Sequence, residues 1–173
     1  FYDNWHIDAI SEHLQAVVNG QIKRLIINIP PRHMKSISVA VALPAWTWTH
    51  CPQKRFLFAS YAGSLSIRDS VKCRRLIDSA WYKSYFGDSF ELTTDQNQKQ
   101  RFENNKTGYR IATSVDGALT GEGGDIIVID DIRIYQDGPY ENGNFENKKE
   151  HGGDNLDFVE ELLDETHVIV ESY

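Results

Sequence analysis

At 173 residues and 40% hydrophobic content, the chain is long enough for one domain with a proper core, and no apolar run approaches the roughly 20 residues of a membrane span. Two cysteines, Cys51 and Cys73, are too few for a disulfide framework and lack partners at metal spacing, which points to a reducing compartment. The formal net charge of −7 is uneven: residues 132–173 hold eleven acids against three bases, so residues 1–131 sit near +1 and remain compatible with a local basic patch for nucleic acid. The chain starts at Phe1 without a basic-then-apolar leader and is read as cytoplasmic and trimmed at its start.

In chain order, Trp5, Ile7, Ile10, Leu14, Val17 and Val18 fall mostly at helical spacing, with Asp3 or Asn4 placed to cap the start and Asn19-Gly20 to end the helix. Arg24 to Ile29 is a near-continuous aliphatic run, expected to be a strand buried on both faces of a parallel sheet. Pro30-Pro31 then blocks further pairing, since neither has an N–H to donate. Ile37 to Trp48 reads as a helix apolar on most sides, bent or interrupted at Pro44. Arg55 to Ser60 is the next strand, and Ser64 to Ser79 an amphipathic helix carrying Arg68, Lys72, Arg74 and Arg75. This basic face suits DNA phosphates, a neighbouring subunit or plain solvent.

The strand–helix alternation predicts an α/β fold with a mainly parallel sheet and right-handed crossovers. Between Glu91 and Thr113 the pattern turns to short alternation broken at Asn104-Asn105-Lys106-Thr107-Gly108, as in a hairpin laid beside the main sheet. Gly117, Gly121, Gly123 and Gly124 make a flexible loop before the strand Ile126 to Ile129. Beyond Asp131, a polar segment from Gln136 to Asn155 reads as a long loop or disorder, Leu156 to Glu165 as a short acidic helix, and Val168-Ile169-Val170 as a final strand. The aromatics Trp46, Trp48, Trp81, Tyr82, Tyr85 and Phe86 read as core and edge packing.

Two stretches carry chemistry. Leu25 to Ser36 is a strand running into a short loop that ends in Lys35-Ser36. A triphosphate site needs converging backbone N–H groups, a lysine for the β- and γ-phosphates and a hydroxyl for magnesium, and Lys35, Ser36 and the following helix N-terminus offer these. The usual G-x-x-x-x-G-K-[ST] spacing is not met, because Ile29 and Met34 occupy the glycine places; an ordinary strand-to-helix turn is the alternative. The second stretch, Asp125 to Asp131, ends an aliphatic strand in two carboxylates, at the sheet edge where ligands sit in open α/β folds. Asp130 would hold magnesium and Asp131 would orient or deprotonate a water. The alternative is a strand that ends in surface acids. The order and the separation of about 95 residues favour the pairing.

With these residues in place, the chain resembles the large terminase subunits of tailed bacteriophages. The resemblance covers about residues 2–131 and rests on Trp5-His6, Gly20-Gln21-Ile22-Lys23-Arg24-Leu25, Pro30-Pro31-Arg32-His33 before Lys35-Ser36, and Ala45-Trp46. Phe58-Ala59-Ser60-Tyr61, Gly117-Ala118-Leu119-Thr120-Gly121 and Asp130-Asp131 complete it. It implies a P-loop NTPase core of the additional-strand, conserved-glutamate type, a three-layer sandwich with a mainly parallel central sheet. It further implies magnesium-dependent ATP hydrolysis that drives double-stranded DNA into a procapsid. Other copies in a ring, a portal and a small terminase subunit are the implied partners, with no membrane.

Carried over, Pro31, Arg32, His33, Met34, Lys35 and Ser36 surround the nucleotide, Ser36 and Asp130 hold magnesium, and Asp131 is the catalytic carboxylate. Arg32 stabilises the γ-phosphate in the transition state, and His6 lies in the lead-in that contacts adenine. The chain departs from the family in two places. Met34 stands where glycine is usual, and residues 132–173 match neither the coupling segment nor the nuclease domain. Ser172 is a candidate for the polar end of the coupling strand, or simply a surface serine. A degenerate remnant that only binds nucleotide or protein is the alternative function, and a small-molecule P-loop kinase, for which no arginine-rich lid is evident, is a third.

Overall fold

The computed structural model describes residues 4–60, 62–114, 123–130 and 167–172. The expectations placed on Tyr61, on the loop from Gly117 to Gly121, on Asp131, on residues 136–155 and on a helix over 156–165 lie outside them. The first helix, α1 (Trp5–Val18), buries Ile10, Leu14, Val17 and Val18, so one stripe at helical spacing faces inward. It ends where Asn19-Gly20 predicts. Gly20 takes φ +76°, its N–H donates to Val17 O at 3.0 Å, and Gln21 N–H donates to Ala16 O at 2.9 Å, the paired bonds of a Schellman stop.

The remaining elements are β1 (Arg24–Asn28), a π-helical stretch (Ile37–Ala42) that continues into α2 (Leu43–Trp48), β2 (Phe56–Ser60), α3 (Gly63–Asp78), α4 (Ala80–Phe86), β3 (Leu92–Asn97), β4 (Arg101–Asn104), β5 (Tyr109–Ser114), β6 (Ile126–Asp130) and β7 (His167–Ser172). They build an α/β fold around one seven-stranded mixed sheet in the order β1-β7-β6-β2-β5-β4-β3. β1, β7, β6, β2 and β5 run parallel, while β4 pairs antiparallel with β5 and β3 antiparallel with β4. The central strands β2 and β6 are apolar and almost wholly buried, as parallel strands covered on both faces must be.

Two strand expectations are corrected. β1 is not buried on both faces: it lies at the sheet margin, Ile27 is buried, and Ile26 on the opposite face is 71% exposed. A continuous aliphatic run therefore marks a parallel strand here without marking a central one. The segment from Glu91 to Thr113 does hold a hairpin, β4–β5, turned at Asn104 to Gly108, but it is part of the main sheet rather than laid beside it. Its last strand, β5, pairs with β2 in parallel, from Phe56 opposite Arg110 to Ser60 opposite Ser114, so β4 and β3 extend the main sheet.

Pro44 does interrupt its helix. It stands in the first turn of α2, directly after the π-helical turns, where its missing N–H and the ring's clash with the carbonyl four residues back are accommodated by wider turns. Trp48 is fully buried at the centre of an aromatic cluster, with Phe90, Phe102 and Phe56 ring centroids at 5.4, 5.8 and 6.5 Å, and its indole N–H donates to Lys54 O. Tyr82 is also core, its hydroxyl donating to Ala45 O at 2.6 Å, whereas Trp81 and Tyr85 on the same helix are exposed.

The turn between β4 and β5 is built on Asn104. Its side-chain amide donates to Pro52 O at 2.8 Å, while its side-chain oxygen accepts from the N–H groups of Lys106 and Gly108. At Gly108 an added Cβ would lie 2.0 Å from Pro52 O. Gly108→Ala is therefore expected to destabilise the fold by about 2 kcal/mol or more, read as a fall in the chemical-denaturation midpoint. An unchanged midpoint would contradict this packing.

At the opposite end of β6 from Asp130, the Asp125 carboxylate accepts from the Arg55 backbone N–H at 2.8 Å and from its guanidinium at 3.3 Å. Partial burial alone would raise this carboxyl; the Arg55 bonds outweigh it and hold the group below its ordinary 3.8. A depressed carboxyl contributes stability above that ordinary value and loses it as pH falls through the folded one. Asp125→Asn should thus lower the melting temperature at pH 7, with the gap from the parent narrowing below pH about 4. A gap constant with pH would argue against the pair.

Candidate functional site

The chain leaves β1 at Asn28 and reaches the helix at Lys35 through a loop with two residues in the left-handed region, Arg32 at φ +67° and Met34 at φ +68°. His33 between them does not share it. Alternation of this kind turns successive N–H groups toward one side of a loop, the pattern of anion-binding nests. Met34, like Arg32, thus holds a conformation in which roughly 1–3 kcal/mol of strain attends a non-glycine residue. The glycine-shaped place read from the motif spacing is a real feature of the backbone.

His33 braces the loop. Its Nδ1 lies 3.1 Å from Pro30 O and 2.9 Å from Pro31 O, and since carbonyls only accept, the proton is on Nδ1. His6 packs edge-on against His33 with ring centroids 5.9 Å apart, so the start of α1 meets the loop. The Nε2 of His6 is buried without a hydrogen-bond partner among the described residues. Ser36 makes no capping bond with its side chain. Arg32 and Pro31 are exposed.

Lys35 is 93% buried, and its Nζ lies 3.9 Å from Oδ1 of Asp130, at the C-terminal end of β6. This is Coulombic contact beyond hydrogen-bond length. β7 makes it possible by lying between β1 and β6, with Ile169 opposite both Leu25 and Val128. The fold thus brings Lys35 beside Asp130 and His6 beside His33, while Pro31, Arg32, Met34 and Ser36 lie along the same loop and helix start. Asp131 lies outside the described residues, and of Ser172 only the backbone is described, paired with Asn28. Among the described residues no three His, Cys, Asp or Glu side chains converge as a metal cage. A cation at Asp130 would have to complete its shell from substrate oxygens and water, as magnesium commonly does.

Behind Asp130 lies a buried polar layer that the motif reading missed. A narrow cavity there is lined by Asp130, Ser60, Ser66, Asp69, Phe58 and Arg110, among others. Ser60 stands opposite Asp130 in the sheet. Arg110 is wholly buried in β5, with its guanidinium carbon 4.0 Å from the Phe58 ring centroid. Burial pulls its pKa down to about 10, so it stays charged at neutral pH, while burial pushes the Cys73 thiol up to about 11 and leaves it neutral. The available signal was an arginine inside the run Tyr109-Arg110-Ile111-Ala112, since arginine is almost never fully buried without a task.

Of the basic residues on α3, Arg68 and Lys72 both bond the buried Asp69, at 3.0 and 2.9 Å. Arg74 donates to the backbone and side chain of Asn97. Arg75 is exposed. Three of the four cations read as a basic face thus have protein partners.

Among the described residues, no helix is long and apolar enough to cross a membrane. No known family model matches the sequence, and no curated protein sequence matches it. The fold does have solved counterparts. The chain is similar in structure to the large terminase ATPase domain of Thermus phage P74-26, with a TM-score of 0.59 at 12% sequence identity, over 99% of this chain and 65% of that one. The two share an α/β fold, and this chain spans about two-thirds of that domain's length.

Proposed function

We propose that this chain is a P-loop ATPase core of the terminase large-subunit type, a magnesium-dependent enzyme that hydrolyses ATP to drive double-stranded DNA into a procapsid. The observation that carries the reading is the buried Lys35 ammonium held 3.9 Å from Asp130, across an additional strand. Similarity to a terminase ATPase domain supports it at the level of fold. In this reading the sheet is the core of an additional-strand three-layer sandwich. Portal, small subunit and a ring of identical copies would be its partners.

The residues fit the group they would hold. Lys35 supplies a buried cation for the β- and γ-phosphate oxygens, the loop N–H groups and the helix N-terminus supply donors, and Ser36 and Asp130 are the ligands for magnesium. Bound magnesium would supply charge neutralisation at the phosphates. Lys35 is held by burial and by Asp130, so little reorganisation is needed when phosphate charge arrives. Asp131 takes the proton of the attacking water, Arg32 meets charge developing on the γ-phosphate, and His6 Nε2 offers a polar contact beside the base.

Met34 favours a second reading, a nucleotide-binding remnant without turnover, because a side chain at φ +68° narrows the conformations open to the loop. Calorimetry with ATP and magnesium and steady-state hydrolysis separate the two. Lys35→Ala is expected to abolish binding, and Asp131→Asn to lower turnover by about 100-fold or more while binding persists. Turnover indifferent to both substitutions would overturn the ATPase reading; binding without turnover would favour the remnant.

Met34→Gly should relieve about 1 kcal/mol of backbone strain, raise the melting temperature by roughly 2–4 °C and tighten ATP binding. A lower melting temperature with unchanged affinity would show that Met34 packing outweighs its backbone strain.

A further inference from the structure

We propose that Arg110 is a positioning residue for Lys35, seating the helix that carries it by donating to the carbonyl that Pro44 deprives of its α-helical partner. That carbonyl is Ala40 O, four residues before Pro44, and Arg110 Nη2 donates to it at 3.1 Å. Pro44 has no N–H to give, and its ring clashes with this same carbonyl. The helix that begins at Lys35 is π-helical from Ile37 to Ala42 and α-helical from Leu43, and Ala40, whose carbonyl faces Pro44, lies about one and a half turns after Lys35. Without a side-chain donor there, the buried carbonyl would lack both its α-helical partner and the group that stands in for it.

The placement of Arg110 is costly enough to need a task. It is fully buried, and its Nε and Nη1 have no partners among the described residues. A well-packed apolar side chain at such a site is commonly as stable or more so. Arg110 is stacked on Phe58 of β2 and lines the cavity behind Asp130, so one rigid group touches the lysine-bearing helix and the strand beside the acid-bearing strand. It thereby fixes the helix relative to the sheet, and with it the distance from Lys35 to Asp130. The consequence for hydrolysis rests on the function proposed above; the consequence for the helix does not.

The test uses amide hydrogen exchange on the ligand-free protein, alongside ATP hydrolysis. Arg110→Met should speed exchange at residues 35–43 about tenfold or more, with smaller changes in α1 and β6. Pro44→Ala restores an N–H opposite Ala40 O, so adding it to Arg110→Met should return those amides close to the Pro44→Ala level. Arg110→Lys, which keeps the charge and one donor, should fall between the parent and Arg110→Met, and serves where the methionine variant does not fold. A uniform rise in exchange, or no recovery in the double variant, would overturn the proposal. In hydrolysis, Arg110→Met should lower kcat more than it raises KM, with recovery again in the double variant. If Lys35→Ala leaves hydrolysis unchanged while the exchange pattern holds, the ATPase reading falls and the seating of the helix stands.

Discussion

The candidate site depends on a spacing that the sheet imposes. β1 and β6 are not neighbours; β7 separates them, which puts the two strand ends about 10 Å apart, two inter-strand steps of roughly 4.8 Å. A lysine in the first turn after β1 has the length to close that gap, and Lys35 brings its ammonium to 3.9 Å from the Asp130 carboxylate. Were β1 and β6 adjacent, the loop and the acid would crowd each other. One more strand between them would put the carboxylate out of reach.

Around this spacing the structure tolerates local strain. Two non-glycine residues of the loop, Arg32 and Met34, hold positive φ, and they persist because their neighbours over-determine them. His33 is tied to the carbonyls of Pro30 and Pro31, Lys35 is buried, and the two prolines restrict the exit from β1. The strain sits where a loop must turn its N–H groups to one side, and no part of the central sheet shares it.

Beneath the loop the structure departs from an apolar core. Arg110, Asp69, Ser60 and Ser66 lie between α3 and the sheet, where a row of aliphatics would pack more simply. Asp69 shows how such a layer is kept. Burial would raise its carboxyl, but the bonds from Arg68 and Lys72 more than offset that and hold it below its ordinary range. α3 thus spends part of its positive face on its own buried acid, which leaves less of it for an outside phosphate.

Periodicity and turn chemistry were enough to read α1 with its Asn19-Gly20 stop, the buried strands β2 and β6, the break at Pro44 and the loop that wants a glycine at Met34. These are local properties, set by which face of a helix or strand is apolar and by which backbone angles a residue type permits. The marginal place of β1, the entry of β7 between β1 and β6, and the parallel pairing of β5 with β2 were not legible, because a pattern of faces does not say which strands are neighbours. The burial of Arg110 belongs with them. Its role depends on a carbonyl 70 positions earlier in the chain, left without its helical donor by a proline, and only the folded chain brings the two within a hydrogen bond.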